Sequence, residues 1–176
     1  MLYRLDPKPD REATTPLLEG EVVEFSPFNL RWLVTGLRAA GVEYVKMLAL
    51  ATLYAATHLS QVGAVRVWAY VGGGRSILHY SVVTPTDLHM PWLDSTQSGV
   101  EIGGCFTVPE ARGKRLYPYV LDRIAAWAGE SRPIYMIVEA SNSASRAGMG
   151  RAGFAVAGEL RREGRLARLP CYRLCH

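Results

Sequence analysis

The chain is poor in cysteine, with three in 176 residues and no Cys-x-x-Cys pair. An odd and scattered set argues against a disulfide framework. Cys171 and Cys175 stand near His176, but a metal site there needs more ligands than that neighbourhood supplies, so no metal is expected. The thiols read as structural or incidental, and a reducing cytoplasm is the expected compartment. Long apolar runs are also missing. None reaches the ~20 residues of a membrane span. The longest, Met47 to Leu59, follows Lys46 and contains His58, and it reads as a buried helix. The start, Met1 to Pro7, lacks the charged-then-apolar order of a signal peptide. Charge excess is small. A net +4 and a pI of about 9.1 favour anionic partners in general without pointing to nucleic acid. The arginines Arg161, Arg162, Arg165, Arg168 and Arg173 are interrupted by Glu159 and Glu163. They lack the aromatic interleaving of a base-stacking surface and read as a solvated hairpin.

What is present is a globular composition, 49% hydrophobic and 20% charged, enough for one domain with its own core over residues 1–176. Residues 1–19 are rich in proline and charge and are expected to form an irregular arm. Residues 20–63 read as a helical N-terminal part, after a short strand at Glu21–Phe25. Ser26 and Pro27 mark one helix start, and a second helix covers Glu43 to His58. From Ala64 the period becomes two. Val65–Val71 and Ser76–Thr84 predict a hairpin turned at Gly72, Gly73 and Gly74. A further strand runs from Gly99 to Val108. Strict alternation there puts Val100, Ile102, Phe106 and Val108 on the apolar face and Glu101, Gly103, Cys105 and Thr107 opposite. Gly103 and Gly104 predict a bulge or a close backbone approach. A helix over Leu116–Ala128 follows, with Pro118 in its first turn. Then come a buried strand at Ile134–Val138, a short helix at Ser143–Ala152, and two strands near Ala155–Arg161 and Arg168–Leu174.

The join between the Gly99–Val108 strand and the Leu116 helix carries the chemistry. Arg112, Lys114 and Arg115 surround Gly113 at a helix N-terminus, where unpaired amides and the helix dipole favour an anion. A phosphate or pyrophosphate suits such a cradle. The triplet Gly72 to Gly74 does not serve that purpose, because a strand and not a helix follows it.

Two motifs resemble the GNAT family of N-acetyltransferases. Arg112-Gly113-Lys114-Arg115-Leu116-Tyr117 stands where that family has Arg/Gln-x-x-Gly-x-Gly/Ala, preceded by Val108-Pro109-Glu110. Thirty residues later, Asn142, Ser145, Gly153 and Phe154 reproduce the spacing of its second motif. The resemblance covers Val65 to the C-terminus. It implies an α+β fold: a central, mostly antiparallel sheet flanked by helices and splayed at an acyl-CoA site, with the cofactor-binding core over residues 64–176. It also departs from the family. Arg115 replaces a glycine and Tyr117 a glycine or alanine. Loss of that glycine hinders backbone approach to a pyrophosphate, while the Arg115 guanidinium offers a bidentate phosphate contact.

The resemblance implies acetyl-CoA, or another acyl-CoA, as donor and an amine as acceptor. The strand Phe106, Thr107 and Val108 is expected to pair with the pantetheine arm. The amides of Arg112, Gly113, Lys114, Arg115, Leu116 and Tyr117 are expected to hold the pyrophosphate, with Asn142 and Ser145 near the thiol end. Direct attack needs a base for the amine proton. Glu101 is the first candidate, His79 the second and Glu139 the third. An oxyanion donor is expected from a backbone N–H where the Gly99–Val108 strand is distorted. The position where many members carry a tyrosine acid is Met149, which donates no proton. The acceptor is expected to be a small molecule, gripped by the loop Thr86–Ser98 with His89, Trp92 and Asp94. Alternatives are a protein or peptide acceptor, or a non-catalytic acyl-CoA binder. A homodimer stays open.

Overall fold

Alternating β-formers on either side of Gly72 and Gly73 build the first hairpin, and the rest of the sheet grows from it. The structure is a computed structural model that describes residues 1–6, 14–25, 65–73, 76–86, 99–129, 132–166 and 169–175. Within these the strands are β1 (Leu2–Leu5), β2 (Gly20–Phe25), β3 (Arg66–Gly72), β4 (Ile77–Pro85), β5 (Val100–Thr107), β6 (Ile134–Ile137), β7 (Ala155–Leu166) and β8 (Leu169–Cys175). Helix α1 spans Leu116–Ala128 and α2 spans Ser143–Arg151. The helices expected near Ser26–Gly41 and Glu43–His58 lie outside the described residues, as do His89, Trp92, Asp94 and His176.

The strands form one sheet in the order β2-β3-β4-β5-β6-β1-β7-β8. Every neighbouring pair is antiparallel except β5–β6, which is parallel. A parallel pair needs a long crossover, and α1 supplies it. The architecture is therefore mixed α/β on a mostly antiparallel sheet, as expected.

Two local expectations fail for physical reasons. The irregular arm expected over residues 1–19 contains β1, which lies between β6 and β7 and pairs with both. Leu2, Tyr3 and Leu5 are buried there. Four residues are too short to show a period. The strand exists because two distant strands supply its hydrogen bonds.

The second failure concerns β5. Its pairing with β4 slips between Tyr80 and Val82, where Ser81 faces two residues, Gly104 and Cys105. This is the bulge that Gly103 and Gly104 predicted, and Gly104 takes φ +56° to form it. A bulge reverses the alternation beyond it. Ile102 pairs with Val83, and Thr107 pairs with His79, so Ile102, Cys105 and Thr107 share a face. Phe106 falls on the opposite face, across from Tyr80 with ring centroids 5.8 Å apart. Glu101 lies on that same opposite face, paired with Thr84 and Tyr135.

Helix α1 covers the first face. Leu116, Val120, Leu121 and Ile124 are at most 1% exposed and pack with Tyr70, Val83 and Ile102. Each such burial contributes roughly 1.5–3 kcal/mol relative to exposure. Aromatic pairs align the helix on the sheet: Trp68 with Trp127, and Tyr70 with Tyr119, both 5.9 Å between centroids. The sheet splays where it meets this helix. Strand β5 pairs with β6 only at Val100 and Glu101. From Ile102 to Thr107 one edge of β5 has no strand beside it among the described residues.

Candidate functional site

The free edge of β5 leads into the basic join. Val108 is buried, Pro109–Ala111 make one 3₁₀ turn, and α1 begins at Leu116. Gly113 takes φ +74°, and Arg115 takes φ +62° and ψ 17° in the left-handed region. Among the described residues no side chain caps the helix, and no acidic residue stands in its first turn. Pro118 has no N–H, so the amides of Leu116 and Tyr117 are the unshared donors of that turn. Cations at a helix N-terminus oppose the dipole. An incoming anion reverses that cost.

Residues 14–18 strap the join in place. Thr14 N donates to Asp122 Oδ2 at 2.8 Å, and Leu17 N donates to Lys114 O at 3.0 Å. The Tyr70 hydroxyl donates to Leu18 O. From the other side, Arg112 Nε donates to Thr107 O at 3.2 Å. These bonds hold the loop against α1 and β5.

Between the join, β5 and α2 lies a groove of about 430 Å³. Of the residues expected to contact cofactor, Phe106, Thr107, Arg112, Gly113, Arg115, Leu116, Tyr117, Asn142 and Ser145 line it. Val108 and Lys114 do not: Val108 is in the core, and the Lys114 carbonyl is taken by the strap. His79 lines the groove, whereas Glu101 and Glu139 do not. Asn142 also caps α2, its Oδ1 accepting from Ser145 N at 3.0 Å.

The inner end of the groove is a chain of buried polar groups. His79 Nδ1 lies 2.7 Å from Thr107 Oγ1, and its Nε2 lies 3.0 Å from Ser81 Oγ. The Ser81 hydroxyl donates to Cys105 Sγ at 3.3 Å. The Tyr117 hydroxyl donates to Met136 Sδ at 3.9 Å and influences the Cys105 thiol nearby. Burial sets the titration of all of them. His79 is pushed down to about 3, so it stays neutral, with both nitrogens engaged by hydroxyls. Burial raises Cys105 to about 11 and moves Tyr117 far above the ordinary phenol range. A histidine held so low is a poor base near neutral pH.

Glu101 behaves differently. It is 5% exposed, and burial raises its carboxyl to about 7. It stands at the last paired position before β5 and β6 part. A carboxylate poised near neutrality suits general-base work.

Arg115 offers a direct test of the backbone. A left-handed conformation costs a non-glycine residue ~1–2 kcal/mol. Among the described residues nothing offsets that cost at Arg115, so Arg115→Gly stabilises the unliganded protein by up to about 1 kcal/mol after the larger unfolded-state entropy of glycine is counted. Urea melts of the two proteins measure it. A less stable variant would show that the arginine side chain earns its place in the free protein.

Sequence reasoning missed Ser81, Cys105, Gly148 and Arg151, which complete the groove or its supporting chain. Gly148 carried a signal. A glycine inside a helix marks a close approach, and a Cβ on it would lie 2.4 Å from Tyr117 Cδ1. Among the described residues no helix is long and apolar enough to cross a membrane, and no cluster of metal ligands occurs.

No protein-family model matches the chain, and no curated protein matches it significantly. Solved structures do. A protein of Staphylococcus epidermidis, described as a functionally unknown conserved protein, aligns over 88% of this chain and 56% of its own length, at 13% identity and TM-score 0.46. The "putative acetyl transferase from Pyrococcus furiosus" aligns over 84% of this chain and all of its own length, at 18% identity and TM-score 0.54. This chain shares the fold of that protein.

Proposed function

We propose that the chain is an acyl-CoA-dependent N-acyltransferase of the GNAT type that moves acetyl from acetyl-CoA to an amine of a small molecule. One observation carries this: among the described residues, an uncapped, cation-flanked helix N-terminus opens onto a groove beside a strand edge with no strand next to it. The amides of Leu116 and Tyr117 and the guanidinium groups of Arg112 and Arg115 suit a pyrophosphate. The free edge of β5 suits an extended chain carrying amides, which pairs there as an added strand. Coenzyme A combines both features.

In this reading the acyl donor lies in the groove and the amine approaches from the opposite face of β5, which carries Glu101. The amine nitrogen attacks the thioester carbon, the C–N bond forms, the C–S bond breaks, and Glu101 takes the amine proton. A bulge leaves its extra residue out of the ladder, so an N–H of Gly104 or Cys105 is the oxyanion donor in this reading. His79 acts as a neutral support that fixes Thr107 and Ser81. Met149 is fully buried in the core, so α2 supplies no acid at that position. A free thiol has a pKa of ~8.5, low enough for the thiolate to leave without one.

The burial of Met149 favours a second reading, an acyl-CoA binder without turnover. A thiol-release assay with acetyl-CoA over a broad panel of small amines separates them. The first reading predicts release dependent on one class of amine. Acetyl-CoA binding with no release from any amine would leave the second.

A further inference from the structure

We infer that the Thr107 hydroxyl is an acceptor-only contact in the groove, taking a hydrogen bond from an N–H or O–H on the arm of the acyl-CoA. This rests on the groove being the acyl-CoA site. The buried chain behind Thr107 has a direction. Thr107, Ser81 and Cys105 each have one hydrogen to give, and so has His79, because burial keeps its imidazole neutral. The contacts run in line: Thr107 Oγ1 to His79 Nδ1 at 2.7 Å, His79 Nε2 to Ser81 Oγ at 3.0 Å, Ser81 Oγ to Cys105 Sγ at 3.3 Å, and Cys105 Sγ to Gly103 O at 3.7 Å. The last partner is a carbonyl and has no hydrogen, so Cys105 donates to it. Cys105 Sγ then accepts from Ser81, Ser81 Oγ accepts from the Nε2–H of His79, and Nδ1 accepts from Thr107. Every contact has its hydrogen and none is left over. The Thr107 proton is committed inward, and only oxygen lone pairs face the groove that Thr107 lines. Lone pairs repel a phosphate, which offers acceptors only, and they suit a ligand donor. Thr107 stands beside the join, where Arg112 Nε donates to its carbonyl at 3.2 Å. The part of coenzyme A that follows the pyrophosphate carries a hydroxyl and then an amide N–H.

Nitrogen NMR of the His79 ring in the ligand-free protein reads the direction without any variant: the proton sits on Nε2 and Nδ1 is bare. A proton on Nδ1 would overturn the proposal. Calorimetric titration reads the consequence, with coenzyme A and with inorganic pyrophosphate, a probe that has no arm. Thr107→Val weakens coenzyme A binding roughly 10-fold, the effect of leaving a ligand donor unpaired, and leaves pyrophosphate binding unchanged. Thr107→Ser keeps the hydroxyl and binds both probes as the wild type does. Wild-type affinity for coenzyme A in Thr107→Val, or an equal loss for both probes, would overturn the role of Thr107 and leave the acyl-CoA site standing. Failure of the wild type itself to bind coenzyme A would overturn both.

Discussion

Glu101→Gln lowers amine-dependent thiol release by roughly 10²–10⁴-fold, the contribution of a positioned general base, while acetyl-CoA still binds. In the wild type the rate rises with pH through about 7, where the buried carboxyl loses its proton. The same substitution changes stability in a direction that is fixed by sign. The folded value of Glu101 lies above its ordinary 4.5, so the folded state binds the proton more tightly than the unfolded chain. The stability gained is present below pH 4.5 and is lost as pH rises through about 7. The full loss is on the order of 3 kcal/mol. Glutamine carries no charge to desolvate. Urea melts at pH 4 and pH 8 therefore give near-equal stability for variant and wild type at the lower pH and a more stable variant at the higher. A variant with full turnover, or one that loses stability at pH 8, would remove Glu101 from its place at the head of the splay.

Gly148→Ala reverses sign with its background. A Cβ on Gly148 meets Tyr117 Cδ1 at 2.4 Å, and the ring is wedged between His79 and Met136. Overpacking of this kind costs about 1–3 kcal/mol, more than the ~1 kcal/mol that alanine gains over glycine in a helix. In the wild-type background the substitution therefore destabilises, with a fall in Tm of ~2–4 °C per kcal/mol. With Tyr117→Ala the ring is gone and only the helix preference remains, so the same substitution stabilises by up to about 1 kcal/mol. A double-mutant cycle of melts reads the coupling. Equal effects in both backgrounds would show that the two residues do not press on each other.

This pair also shows where sequence reading ends. Tyr117 stands where the resembling family has a small residue, and Gly148 sits in a helix that alanine would favour. Each looks like an oddity alone, and the contact across 31 positions that joins them is a property of the fold. The boundaries of α1 were legible because its apolar residues keep a helical period and Gly129 ends it. The bulge is legible in Gly103 and Gly104, but strict alternation misassigns the faces beyond it, because the extra residue reverses them. Thr107 and Cys105 therefore face α1, and Phe106 faces away. Strand β1 was illegible because its partners, β6 and β7, begin more than a hundred residues later. The left-handed Arg115 gives no sign in the sequence, since nothing local requires it. Sequence puts Glu101 ahead of His79 and Glu139 as base but shows nothing of their burial, which holds His79 neutral and brings Glu101 near neutrality.

The central claim is that the basic join and the free edge of β5 together hold acyl-CoA. Thermal unfolding with and without acetyl-CoA tests it most directly. At a hundred times the dissociation constant a ligand adds ~2.7 kcal/mol, which for a domain of this size is on the order of 5 °C or more in Tm. The account predicts a shift of that order, reduced when Arg112 and Arg115 are both replaced by alanine. An unchanged Tm at millimolar acetyl-CoA would contradict it.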